Sequence, residues 1–317
     1  MKKVVVIGGG TGMSTLLSGL KQFPLDITAI VTVCDDGGST GILREEFKIP
    51  AVGDIRRVLV SLSSTEPLVM DLFNYRFDNG SGLSKHTVGN LLLTAASSIT
   101  GNLSDGIEAL SKVLNLKGKV IPLTEDNVTL MAKMKDGKII EGEHNITLHK
   151  GKIDKVYYKD KARVNDEALK AIKSADLILF SMGSLYTSII PNLLIDDVVK
   201  EIEKSKAKIM YVCNMMTQPG ETDNFKVTDH VKVLNKYLGK RNVDIVIVNI
   251  GDIDSKMRDF YLVEEQKDPV IYDSENISKY GLEVIKDDFI HITPNNLLRH
   301  DSIKLGFHIF YYLMNNK

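Results

Sequence analysis

The chain has 317 residues, 43% of them hydrophobic and 26% charged, which is enough for one large or two medium domains with a substantial core. A net charge of −1 gives no bulk electrostatic case for nucleic acid; no apolar run reaches membrane-spanning length, and no signal-peptide pattern opens the chain, so a cytoplasmic protein is expected. Cys34 and Cys213 each close an apolar run without metal-ligand spacing, and read as buried free thiols of a reducing compartment.

A β-branched run at 4–7 predicts a strand, and Gly8, Gly9, Gly10, Thr11 and Gly12 follow at once. Residues 13–20 then read as a helix with Leu16, Leu17 and Leu20 on one face. A strand, a glycine turn and a helix start bring backbone N–H groups to where a phosphate can sit, and Thr11 adds a hydroxyl. The run is neither G-x-G-x-x-G nor a Walker A loop, so a tight turn without a ligand is the alternative. Four glycines in five residues exceed what such a turn needs, because each costs conformational entropy. A second strand, 27–34, ends on Asp35 and Asp36, at a distance that suits an acidic group at a ribose.

Residues 35–41 form a second glycine-rich loop, with Gly37 and Ser39 in it. The stretch 53–57 reads as a loop entering a helix, with Asp54 as N-cap and Leu59 and Leu62 inward. Helices are expected at 67–77, from Leu91 onward as a buried apolar helix opened by His86, Gly89 and Asn90, and at 103–116. From 117 to 164 the texture changes to short strand-like runs at 120–123, 128–134, 139–140, 146–148 and 153–158, parted by turn signals. This predicts a β-rich, mostly antiparallel insertion at 117–164 within one domain spanning 1–317.

Strand and helix alternate again after it. Strands are expected at 176–180, 208–213, 243–249, 270–272 and 289–292, and helices at 166–174, 191–204, 228–238, 255–266 and 301–315. The alternation predicts an α/β fold: a doubly wound, mostly parallel Rossmann-like sheet with helices on both faces. In such a sheet, ligands bind at the carboxyl ends of the strands. The loops there carry Gly8–Gly12, Asp35–Gly41, then Ser184, Tyr186, Thr187 and Ser188, then Asn214, Thr217, Gln218 and Glu221, and finally Asn249 and Asp252. So uniform a run of small and hydrogen-bonding residues points to one crevice with many ligand contacts.

Seven ordered stretches, IGGGTGMSTLLSGL, TVCDDGGSTG, GDIR, HTVGNLLL, GSLYTS, CNMMTQPGET and RHD, span residues 7–301. On them the chain resembles the CofD-like superfamily, which holds the gluconeogenesis factors and the 2-phospho-L-lactate transferases of deazaflavin cofactor synthesis. CNMMTQPGET favours the gluconeogenesis-factor branch. The resemblance implies a cytoplasmic protein that affects cell shape and growth on gluconeogenic carbon sources and binds a uridine-diphosphate amino sugar. The transferase branch implies phospholactyl transfer from a nucleoside-diphosphate donor with a divalent metal. Two departures stand out: Ile42 where the family commonly has Arg, and Ser181-Met182 where it commonly has Gly-Pro.

Residue by residue, Gly8, Gly9, Gly10, Thr11 and Gly12 would admit a phosphate close to the backbone, with Gly37 and Ser39 of the second loop beside them. Asp36 would hold a ribose or, with Asp35 and Asp54, a Mg²⁺ ion, the alternative being that Asp36 and Asp54 cap turns. Arg56 or Arg57 would pair a phosphate, against a surface ion pair. Asn90 is a candidate that the resemblance carries, whereas His86 reads as a cap or core partner. Ser184, Tyr186 and Thr187 offer hydroxyls and N–H groups at a helix start, and Asn214, Thr217 and Gln218 offer amides and a hydroxyl to a base or sugar edge. Arg299 would close over a diphosphate, Asp301 fits an N-cap, and Tyr261 would lie over the crevice.

The expected role is a nucleotide-sugar-binding regulator, homo-oligomeric and acting through a regulatory protein partner. A Mg²⁺-dependent phosphoryl- or phospholactyl-type transferase is the alternative. A nicotinamide-dependent oxidoreductase fits less well without G-x-G-x-x-G, and a Ser-His-Asp triad through His300 lacks a nucleophile elbow.

Overall fold

The computed structural model describes residues 1–77, 80 and 82–316. The elements in the first third are β1 (Lys2–Gly8), α1 (Gly10–Leu20), β2 (Leu25–Val31), α2 (Gly38–Phe47), α3 (Gly53–Leu62), α4 (Pro67–Asn74), α5 (Val88–Thr100) and α6 (Leu103–Val113). Then come β3 (Lys119–Pro122), β4 (Leu130–Met134), β5 (Ile139–Glu141), α7 (Glu143–Leu148), β6 (Ile153–Tyr158), α8 (Asp166–Ser174), β7 (Leu177–Phe180), α9 (Asp196–Lys204) and β8 (Lys208–Val212). The last third holds α10 (Val227–Tyr237), β9 (Ile245–Asn249), α11 (Ser255–Glu264), α12 (Ser274–Lys279), β10 (Glu283–Asp287), β11 (Ile290–Ile292), β12 (Leu298–His300) and α13 (Ser302–Asn315).

Among the described residues, seven strands form one sheet in the order β10-β9-β8-β7-β1-β2-β3, and every pairing in it is parallel. The order runs outward from β1 in two directions, which is the doubly wound arrangement expected from the strand–helix alternation. β1, β7 and β8 are near-continuous runs of Val, Ile, Leu, Phe, Met and Tyr, buried on both faces as a helix-covered parallel sheet demands. α1 packs on both α3 and α13, while α8 packs on α9, β1 and β3. Right-handed crossovers put these two sets on opposite faces of the sheet.

α1 and α13 cross at very close range. A Cβ built on Gly19 would sit 1.7 Å from the Ser302 carbonyl oxygen, and one on Gly306 would sit 2.9 Å from the Gly19 carbonyl carbon. Only hydrogen side chains let the two backbones meet there.

Several elements depart from the sequence reading. Residues 119–122, expected in the insertion, instead close the edge of the central sheet beside β2. The antiparallel lobe is β5-β4-β6, and its expected strand at 146–148 is the helix α7. That helix is capped from a distance: Asp36 accepts from the backbone N–H groups of Glu143 and His144 at 3.2 and 2.8 Å. The expected helix at 191–204 is broken into a 3₁₀ turn at Ile190–Leu193 and α9, and a π-helical turn at Leu185–Ile189 stands where a loop was expected. Residues 270–272 form no strand, Ile271 making an isolated bridge with Lys226, while β10 and β12 arise where no strand was expected. The α5 helix is buried on one face only, with Ile99 fully outward. Cys34 and Cys213 are buried and unpaired, as expected.

Candidate functional site

The first turn of α1 opens at the junction of β1 and β7, where the strand order reverses. Its N-cap residue, Gly9, supplies no side-chain bond, so the N–H groups of Thr11 and Gly12 point outward without intrahelical partners. The turn can come this close to the neighbouring loop because Gly12 has no side chain. A Cβ there would lie 2.1 Å from the Met182 carbonyl oxygen. A crevice of about 630 Å³ lies in front of the turn.

Its walls come from eight separate stretches of the chain. Gly9, Gly10, Thr11 and Gly12 form one side, with Asp35, Asp54 and Arg57 beside them. Gly183, Ser184 and Thr187 follow β7, and Asn214, Thr217 and Gln218 follow β8. Tyr261, Arg299 and His300 close the far side, and Glu143 and Thr147 reach in from the lobe helix α7.

Of the candidates named from sequence, Gly9, Gly10, Thr11, Gly12, Asp54, Ser184, Thr187, Asn214, Thr217, Gln218, Tyr261 and Arg299 line this crevice. Gly8, Asp36, Gly37, Ser39, Arg56, Asn90 and Tyr186 do not line it. Each of the polar ones has other work. Asp36 is spent on the cap of α7. Ser39 Oγ lies 3.0 Å from His86 Nδ1 and accepts from Asn90 Nδ2 at 3.1 Å, a buried cluster behind α2. Arg56 is buried and donates to Asn74, and its pKa falls to about 10 because burial disfavours the charge, so Arg57 is the arginine of this pair at the crevice. Tyr186 faces a second cavity, on the side of α10.

Hydrogen bonding within the walls narrows what each lining group can offer. Asn214 is clamped to Gly183, accepting from its N–H at 2.9 Å and donating to its carbonyl at 2.7 Å. Thr217 Oγ1 accepts from Asp268 N–H at 2.9 Å. Ser184 Oγ donates to the buried Glu221 carboxylate, with oxygens at 2.6 and 2.8 Å, and accepts from Thr187 N–H and Oγ1. These side chains therefore hold the loops in place. Tyr261 hydroxyl accepts from Leu298 N–H at 2.8 Å, which fixes the strand carrying Arg299. Arg299 makes no ion pair among the described residues; one arm of its guanidinium donates to the Leu298 carbonyl at 2.8 Å.

The acidic side of the crevice is electrostatically uneven. Asp54 is not an N-cap: α3 already starts at Gly53, with Val52 as its N-cap, so Asp54 lies within the first turn. Its carboxylate takes the Gly10 N–H and pairs with Arg57 at 2.6 Å, yet burial and the nearby Asp35 still push its pKa up. Glu143 is pushed up to about 7, first by burial and then by the charges of Asp35 and Asp54, against hydrogen bonds from Thr187 and Thr147. Among the described residues no group of three or more His, Cys, Asp or Glu side chains is gathered so as to hold a metal ion. Asp35, Asp54 and Glu143 are thus no preformed cage for Mg²⁺, and Glu143 is the carboxyl of the three that burial brings to titrate near neutral pH.

Sequence reasoning missed Glu143 and Thr147, and no local pattern marks them, since only the folding back of the lobe brings α7 to the glycine turn. Gly183 and Ser188 lay inside the GSLYTS stretch and were legible there.

Comparison with known proteins places these features in context. A family model described as 2-phospho-L-lactate transferase CofD matches residues 4–290. The chain is 46% identical over 305 residues to the gluconeogenesis factor of Bacillus subtilis, covering 96% of each chain. It is 46% identical over 306 residues to the gluconeogenesis factor of Halalkalibacterium halodurans, covering 96% of this chain and 94% of that one. A crystal structure of a UPF0052-family protein from Bacillus halodurans superposes with a TM-score of 0.94 at 45% identity, covering 98% of this chain and 99% of that one.

Proposed function

This chain belongs to the CofD family, alongside relatives called gluconeogenesis factors, and on that premise we propose that its crevice binds a nucleotide sugar of the uridine-diphosphate-N-acetylglucosamine kind. Binding, rather than obligatory turnover, is the proposed role: a cytoplasmic, homo-oligomeric regulator that acts through a protein partner and supports cell shape on gluconeogenic carbon sources. The observation that carries the reading is the open first turn of α1, with Arg57 beside it and Arg299 on the far side of the same crevice. Outward N–H groups at a helix start, with guanidinium groups within the same crevice, are what a diphosphate needs.

Isothermal calorimetry with uridine-diphosphate-N-acetylglucosamine, guanosine diphosphate and NAD tests it. Saturable binding of the sugar nucleotide, tighter than that of the other two, is expected. Binding of NAD or guanosine diphosphate with none of the sugar nucleotide at millimolar concentration overturns it. Sedimentation velocity of the same sample checks the homo-oligomer.

A second reading, a phospholactyl-type transferase, draws on the description of the matching family model and on Asp35 and Asp54 at the crevice. It requires a Mg²⁺ ion held by those carboxylates together with the ligand's phosphates. Ligand affinity that is the same with and without Mg²⁺, and the same in Asp54→Asn, removes it.

A further inference from the structure

Buried acceptors without donors are rare in folded proteins, and each costs about 1–3 kcal/mol of unrepaid desolvation. Two such atoms belong to residues that line the crevice: Gln218 Oε1 and His300 Nε2. Both residues sit at the carboxyl end of β8. Gln218 lies in the loop that follows it, held through its N–H to Thr222 Oγ1 at 2.8 Å. The imidazole of His300 is hydrogen-bonded to the backbone of Cys213, the residue after β8, and Nε2 is the nitrogen left without a partner.

We infer that this end of the crevice reads hydrogen-bond donors: Gln218 Oε1 and His300 Nε2 accept from N–H or O–H groups on the part of the bound molecule that is not phosphate. The inference rests on the reading of the crevice as a nucleotide-sugar site and assigns its polarity. Burial holds the imidazole pKa down to about 4, so the ring is neutral at physiological pH. With one nitrogen donating to Cys213, the other carries a lone pair. Phosphate oxygens accept only, so two lone pairs repel them, and the phosphates belong at Thr11 and Gly12. Imide, acetamido and sugar hydroxyl groups all bring donors. Met215 and Met216 share this wall, and their flexible thioether chains can repack to let a donor reach the two acceptors.

The test follows the ¹⁵N resonance of His300 Nε2 at pH 7, assigned with a His300→Gln sample. Uridine, N-acetylglucosamine, uridine-diphosphate-N-acetylglucosamine and inorganic pyrophosphate are titrated separately. At least one donor-bearing probe is expected to move the resonance upfield, and pyrophosphate to leave it in place. Calorimetry on Gln218→Met, which keeps the bulk and loses the acceptor, is expected to show sugar-nucleotide affinity down about fivefold or more with pyrophosphate affinity unchanged. A resonance that moves with pyrophosphate, or with no probe, overturns the inference. If the sugar nucleotide fails to bind while uridine or N-acetylglucosamine moves His300, the nucleotide-sugar reading falls and the donor subsite stands. If the sugar nucleotide binds with His300 unmoved, the subsite falls alone.

Discussion

Glu143 carries a proton at a pH where a free glutamate does not, and two consequences follow at the scale of the residue. Its pKa is about 7 in the fold against 4.5 outside it, so the folded state holds the extra proton between those values. Stability therefore falls as pH rises from about 4.5 through 7 and is flat above. Glu143→Gln should remove that slope and gain about 1–3 kcal/mol at pH 8, read by urea denaturation at pH 5 and pH 8. An anionic ligand in the same crevice favours the neutral carboxyl, so sugar-nucleotide affinity should drop between pH 6 and pH 8 in the native chain and hold level in Glu143→Gln. Arg299→Ala should weaken the same ligand by about 1.5–3 kcal/mol in calorimetry, the worth of a hydrogen bond to a charged group. An unchanged dissociation constant would take Arg299 out of the site.

Between elements, backbone proximity and long-range capping decide the outcome. Gly19→Ala must push α1 and α13 apart, because the added carbon meets a carbonyl oxygen rather than a side chain that can turn away. A loss of about 1–3 kcal/mol in urea denaturation is expected. Asp36→Ala frees two N–H groups at the start of α7, at a cost of about 1 kcal/mol. Faster hydrogen exchange across residues 143–148 should report it, with the central sheet unaffected. Asp36 also shows why sequence reading stopped where it did. Its distance from the glycine run suited a ribose, and nothing local revealed a helix more than a hundred residues away that would claim the carboxylate. Residues 146–148 were read as a strand for the same reason: Ile146-Thr147-Leu148 has strand-like composition, and the cap that makes it a helix is non-local. By contrast, β1, α1, α8 and α13 were legible because apolar periodicity alone selects their buried faces.

At the scale of the whole molecule, the doubly wound order followed from alternation of strand and helix, and the glycine turn fell at its reversal as that topology requires. What the sequence left open was which polar residues at the strand ends face the crevice and which are consumed as braces. Asn214 and Ser184 lie at the right ends of the right strands, yet their side chains tie one loop to the next. Ligand binding to so many separate stretches should stabilise the domain as a unit. At a free concentration one hundred times the dissociation constant, the sugar nucleotide should add about 2.7 kcal/mol to unfolding, seen as one cooperative upward shift in thermal melting.

The crossing of Gly19 over Ser302 and Gly306 has a bearing on how the chain comes off the ribosome. α1 is made before the helix it leans on, which arrives close to three hundred residues later. At about 5–20 residues per second the wait is on the order of 15 to 60 seconds. Throughout it the nascent sheet has one flank of α1 uncovered, which is a natural foothold for a chaperone and a period of exposure to aggregation.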